Sequence, residues 1–216
     1  MDAEGWVLAG GRSVRMGRDK AGVALAGRPL LEHMLSKLRV LGLRARVAGL
    51  RAPVANVAAE VLSDAHPECG PLSGIETALA TSEATLVLML SVDLPLVETE
   101  FLAWMLRRAS ITDAVATIPS LLGEPQPLCA VYRREMLADV RESLAAGDYK
   151  VMHAMERAAT RGLTEDWFDA ERAATTGAWR SAMATHWMAT HWQFMNCNTP
   201  EDLTIAESLL ASRPIL

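Results

Sequence analysis

The chain has 216 residues, half of them hydrophobic and 22% charged, with a formal net charge of −5 at pH 7. That length suits one large core, the composition excludes wholesale disorder, and the acidic balance argues against a nucleic-acid binder, which would carry a broad basic face. No apolar run approaches the roughly 18 residues of a membrane span, and the opening MDAEGWVLAGG lacks the basic start and long apolar core of a secretion signal. A cytoplasmic protein without a membrane anchor is expected. Three scattered cysteines, Cys69, Cys129 and Cys197, form no CxxC pair and read as buried thiols.

Taken from the start, Trp6–Ala9 is an apolar run that reads as a buried strand. It leads into LAGGRSVRMGRDK, residues 8–20, which holds three glycines, three arginines and a lysine. Glycine lets a backbone press against a ligand, and the cations imply that the ligand is negative. In an acidic chain that ligand should be small. Residues 29–41 then predict a helix with Leu30, Leu31, Met34, Leu35 and Leu38 on one face. Strands are expected at 45–48, 86–92, 114–118 and 128–132, and further helices at 74–81, 98–109 and 134–145. Continuous apolar strands alternating with amphipathic helices indicate an α/β domain with a mostly parallel sheet, whose ligands gather at the carboxyl ends of the strands. No Gly/Ser linker divides the chain, so one domain over residues 1–216 is expected.

Residues 170–192 stand apart. MATHW at 183–187 is repeated at once at 188–192. His186 and His191 lie five apart, which is not the i,i+4 spacing of paired zinc ligands on a helix. A peripheral insertion whose Trp179, Trp187 and Trp192 require burial is the expectation.

The glycine-rich loop departs from two familiar phosphate cradles. The Walker loop requires a lysine directly after its last glycine, and here Arg18 follows Gly17. The dinucleotide fingerprint requires GxGxxG, and here Gly10 and Gly11 are adjacent. In the arrangement present, paired glycines end a strand, a long loop carries Ser13, Arg15 and Met16, and Asp19-Lys20 closes it. Backbone N–H groups of such a loop form a nest for phosphate oxygens, with Arg15 as a planar fork and Lys20 as a point charge.

This loop resembles the LAGGxSxRMGxDK signature of the MobA-like nucleotidyltransferases. Four further stretches follow in family order. GPLSGIETAL at 70–79 is similar to the GPLAG segment, SVDLPLV at 91–97 to the strand end carrying a metal-binding aspartate, EPQPLCAVYRREML at 124–137 to xPxPLxALYR, and FMNCNTPEDL at 194–203 to VNTPEDL. The resemblance spans nearly the whole chain except about 170–192. It implies a three-layer, Rossmann-like nucleotidyltransferase fold with a twisted, mostly parallel sheet between helices. Within the family the pattern is that of the guanylyltransferases, which join GMP from GTP to the terminal phosphate of molybdopterin and release pyrophosphate. GTP and molybdopterin are then the substrates, Mg²⁺ the cofactor, and molybdenum-insertion proteins or recipient molybdoenzymes the partners of a monomer or weak homo-oligomer.

The resemblance assigns residues as well. Arg15, Lys20 and Asp93 are the expected catalytic set. Leu8, Ala9, Gly10, Gly11, Ser13, Lys20, Asp64, Gly74 and Asp93 are expected around the nucleotide, with Asp93 and Asn198 on the metal. By residue type alone Asp93 reads as a turn aspartate before Leu94-Pro95. Its position behind the very apolar LVLMLSV and the family match favour a metal ligand. Thr199-Pro200-Glu201-Asp202 reads as a helix start, with Thr199 as its cap. Gln126, Pro127 and the Lys150 region are assigned to the pterin. One departure stands out: related enzymes often place an asparagine after the second strand, where this chain reads Ala48-Gly49-Leu50-Arg51, so no base contact is expected from that loop. Two other readings stay open. A cytidylyltransferase of the same fold would favour LAAG over the LAGG found here, and a non-enzymatic nucleotide-binding adaptor would have no need of Asp93 or Lys20.

Overall fold

The computed structural model describes residues 1–10, 19–55, 57–175 and 191–212. Its centre is a sheet of eight strands among the described residues. They are β1 (Ala3–Leu8), β4 (Arg44–Ala48), β5 (Glu60–Leu62), β6 (Leu86–Ser91), β7 (Ala116–Leu121), β8 (Glu124–Pro125), β9 (Cys129–Tyr132) and β10 (Glu165–Asp169). The order is β10-β7-β9-β6-β1-β4-β5, with β8 paired to β7, while β2 (Ala24–Leu25) and β3 (Arg28–Pro29) form a separate small ribbon. Only β8 and β9 run antiparallel to their neighbours in the main sheet.

Register decides where the site can be. Leu8 lies opposite Ala48 on one side and Ser91 on the other, and Ala48 lies opposite Leu62. Four parallel strands therefore end level, and the residues that follow them emerge along one edge. Antiparallel β9 places Cys129 opposite Leu90, so the segment before β9 reaches the same edge.

The side-chain alternation of β1 and β6 separates two cores. Val7, Leu86, Leu88 and Leu90 face α1 (Leu30–Val40) and α3 (Thr99–Ser110). Trp6, Leu8, Val87 and Met89 face α2 (Pro71–Thr81), α4 (Leu137–Ala145) and α5 (Val151–Thr160). This is the expected three-layer α/β arrangement. The predicted stripe of α1 is fully buried. No helix of the described residues is long and apolar enough to cross a membrane.

Several boundaries differ from expectation. α2 begins at Pro71 rather than at 74, because proline at N1 is compatible with a first turn and Gly70 supplies the positive φ of +70° before it. The predicted 134–145 helix opens with a 3₁₀ turn, Arg134–Met136. β7 starts at Ala116 and continues through Pro119, two residues later than expected. Cys129 and Cys197 are buried, whereas Cys69 is only half-buried.

The far edge of the sheet is closed by aromatic packing. β10 is followed by the short helix α6 (Ala170–Thr175). Phe168 of β10 packs with Trp104 at 4.9 Å, and Phe101 meets Phe194 edge-on at 5.4 Å. Arg108 forks onto Asp166 at 2.6 and 2.7 Å and lies over the Phe168 ring. Of the tandem repeat, His191 and Trp192 are described and His191 bonds the Glu171 carboxylate. His186, Trp179 and Trp187 lie outside the described residues.

The segment continuing from Phe194 ends in α7 (Pro200–Ala211), whose start is capped as expected. Asp202 N–H donates to Thr199 Oγ1 at 3.1 Å, while Asp202 Oδ2 accepts from the N–H groups of Thr199 and Asn198, both at 2.8 Å. Thr199→Ala should lower unfolding stability by about 1 kcal/mol, the typical cost of losing such a cap. The shift should appear in the urea midpoint at an unchanged slope.

Candidate active site

The level strand ends converge on a cation contact. Asp93 stands in the turn two residues after β6. Its Oδ1 accepts from Ser91 Oγ at 2.5 Å, its Oδ2 accepts from Lys20 Nζ at 2.9 Å, and its backbone carbonyl accepts from Cys197 N–H at 2.9 Å. Lys20 Nζ also donates to Asn198 Oδ1. Asp93 and Asn198, 105 positions apart in the chain, thus aim oxygens at one positive charge. Lys20 is presented by a 3₁₀ turn, Lys20–Gly22, that Asp19 caps by accepting from Ala21 N–H at 3.0 Å. At side-chain exposures of 23% for Lys20 and 15% for Asp93, the pair is shielded yet reachable.

A cavity of about 350 Å³ opens beyond the ends of β1, β4 and β5, which continue the row of strands from β6. Gly10, Gly49, Arg51, Asp64, Glu68 and Gly70 contribute to its lining. Gly49 turns the chain at φ +73°, and a Cβ there would stand 2.6 Å from Asp64 Oδ2. A Cβ on Gly10 would lie 3.1 Å from the same oxygen. Glycine at these two positions is what lets the Asp64 carboxylate sit between two strand ends. Oδ1 of Asp64 is buried and has no hydrogen-bond partner among the described residues. Burial raises the Asp64 carboxyl above its ordinary range; Arg51 opposes the shift and Glu76 adds to it.

Five of the residues expected from the sequence fall into these two groups. Lys20, Asp93 and Asn198 meet at the cation contact, and Gly10 and Asp64 meet in the cavity. Leu8 and Ala9 are buried between them, with Ala9 N–H donating to Ala48 O at 2.9 Å. Gly74 is buried in α2, where a Cβ would come within 3.0 Å of Leu8 and 3.7 Å of Asp64 Oδ1, so it brings the helix close beneath the cavity wall. Gly11, Ser13 and Arg15 lie outside the described residues. Ser91, Gly49 and Arg51 join the site without having been anticipated there. A signal existed for Gly49, which follows β4 as Gly10 nearly follows β1, but serine and arginine at strand ends carry no such mark. On the other side of Asp93, Ser91 N–H donates to Leu128 O at 2.7 Å, which brings the Gln126-Pro127 segment alongside. Cys197 is no nucleophile near neutrality: burial first, then Asp202 and Asp93, push its thiol to about 12.

Comparison with known proteins identifies the class. The crystal structure of molybdopterin-guanine dinucleotide biosynthesis protein A from Archaeoglobus fulgidus matches with a TM-score of 0.77 at 24% identity, covering 96% of this chain and 98% of that one. The 2-C-methyl-D-erythritol 4-phosphate cytidylyltransferase from Thermus thermophilus matches at 0.67 and 16% identity, covering 98% and 100%. The fold is that of the nucleotidyltransferases. Residues 5–161 match the MobA-like NTP transferase domain, and a molybdenum cofactor guanylyltransferase of Xanthomonas euvesicatoria pv. vesicatoria is 33% identical over 205 residues, covering 91% of this chain and 90% of that protein. The chain belongs to the MobA-like NTP transferase family.

The Asp64 environment has a measurable signature. Its folded pKa lies above its unfolded value, so its contribution to stability is full below the ordinary carboxylate range and is lost as pH rises through the folded value. Asp64→Asn does not titrate. Relative to the parent, this variant should therefore gain stability between pH 4 and pH 7, read from urea midpoints at the two values. An unchanged difference would mean that the carboxylate is not penalised by its burial.

Proposed function

We propose that this chain is a guanylyltransferase that joins GMP from GTP to the terminal phosphate of molybdopterin and releases pyrophosphate. One observation carries the reading: the oxygens of Asp93 and Asn198 converge on a single cation at the end of β6, next in the sheet to β1, after which Gly10 lines the cavity. The names of the relatives support guanosine and molybdopterin as the two sides of the reaction.

The acceptor's phosphate oxygen attacks the α-phosphorus as the bond to pyrophosphate breaks, and no covalent protein intermediate is required. The chain's task is alignment and charge neutralisation. Backbone N–H groups of the 10–18 loop and the Arg15 guanidinium hold phosphate oxygens in this reading. Asp64 anchors the nucleoside end inside the cavity. The Gln126-Pro127 segment next to Asp93 supplies the acceptor side, and Lys150 at the start of α5 is assigned to the same substrate.

Asp93 and Asn198 fit Mg²⁺, because they are hard oxygen donors that already share one cation, the Lys20 ammonium. An Mg²⁺ ion held by Asp93 and Asn198 would supply positive charge to the phosphates. Lys20, which already meets both oxygens, contributes its own positive charge to the phosphates in this reading.

Steady-state rates with molybdopterin, Mg²⁺ and each of GTP, CTP, ATP and UTP test the assignment; GTP should lead, and a preference for CTP would overturn it. Asp93→Asn should keep the fold by circular dichroism and lose about a hundredfold or more in turnover. Near-normal turnover of that variant at saturating Mg²⁺ would place the metal elsewhere. Lys20→Ala should lower kcat more than it raises KM for GTP, and Lys20→Arg should not restore the rate, since a planar fork does not fit a point-charge site.

A further inference from the structure

We propose that Arg51 reads the nucleotide's base, its guanidinium donating to the O6 and N7 acceptors of guanine seated in the cavity lined by Gly10, Asp64 and Arg51. The inference rests on the guanylyl-transfer reading and adds to it the residue that selects the base.

The geometry begins at Gly49. With φ at +73° the chain leaves the direction of β4, and Leu50 and Arg51 turn onto the cavity wall. Arg51 is exposed on its solvent side, so its fork of donors can move onto an incoming ring. The same cavity is lined by Asp64, whose Oδ1 is buried with no hydrogen-bond partner among the described residues. One compartment thus offers a two-pronged donor and an orphaned acceptor. The two are close enough for the positive charge of Arg51 to act on Asp64. The volume of about 350 Å³ lies within the range of small-ligand sites.

Base chemistry then discriminates. Guanine presents two adjacent acceptors, O6 and N7, which is the pattern an arginine fork satisfies at both prongs. Adenine sets an N6 amino donor beside N7, so one prong would face another donor. Cytosine offers its N4 amino donor on the corresponding edge. An arginine at this place therefore favours guanine by pairing and disfavours the other two by leaving a donor opposed.

Binding of GTP, 7-deaza-GTP and CTP, with Mg²⁺ and at fixed salt, tests the proposal on the full chain and on Arg51→Ala and Arg51→Lys. 7-Deaza-GTP carries C–H in place of N7 and is otherwise the same nucleotide. The parent should bind GTP roughly tenfold tighter than 7-deaza-GTP, the worth of one hydrogen bond to a charged donor. In Arg51→Ala that ratio should fall to near one, with the thermal midpoint unchanged because the residue is exposed. Arg51→Lys should retain part of the ratio, since it can meet one acceptor at a time. A parent ratio near one, or the same ratio in parent and Arg51→Ala, overturns the assignment. Equal weakening of all three nucleotides in Arg51→Ala does so too, and makes Arg51 a general attractor of phosphate. A parent that prefers CTP to GTP would instead sink the guanylyl-transfer reading itself.

Discussion

The level ending of β4, β1 and β6 is the constraint on which the rest of the molecule depends. Leu8 is opposite both Ala48 and Ser91, so the residues after three neighbouring strands leave the sheet at one height. A slip of one residue in either pairing would turn Trp6 or Val7 to the wrong core and withdraw one strand end from the row. Burial of the Trp6 and Val7 faces in two separate cores makes such a slip costly. Register enforced by packing thereby holds Gly10, Gly49, Asp64 and Asp93 along one edge, although 83 positions separate the first from the last.

The charged groups at this edge are held by the chain rather than by one another alone. Ser91 fixes one oxygen of Asp93 and leaves the other for a cation. Asn198 is delivered by a segment secured at both ends, by Phe194 in the aromatic cluster and by the capping box of α7. Asp64 is treated differently. Its carboxylate is half-buried between glycines, without a cation at bonding distance among the described residues, and its pKa rises accordingly. One acid is thus prepared for a positive charge and the other for a hydrogen-bond donor.

Much of this was legible in the sequence, for physical reasons. The apolar runs of β1 and β6 and the stripe of α1 bury both faces or one full face, and such burial leaves a strong pattern. Asp93 was legible because an acid directly behind LVLMLSV sits at the end of a buried strand. β10 was not: in EDWFD only Phe168 is buried, as suits an edge strand next to solvent. β5 is a three-residue edge strand with similarly little apolar demand. α5 has a buried face of Val151, Ala154, Met155 and Ala158, and its small residues mute the periodicity. Asp64 could be placed at a strand end but not between two glycines, because that contact is set by three strands at once. Arg51 stood in the stretch set aside because the asparagine of related enzymes is missing there, and an exposed loop arginine is ordinary until the cavity beside it is seen.

Reversal of β9 has a consequence for how the chain is divided. A parallel strand in its place would have contributed its exit to the active edge and sent the Gln126–Leu128 segment to the opposite end of the molecule. Because β9 runs backward, its beginning lies beside Asp93. On the proposed reading, nearly everything that grips the nucleotide precedes residue 100, and what faces the acceptor follows it. The border between the two substrates in space is then also a border along the polypeptide. Asn198, from the far end of the chain, is then a stitch across that seam.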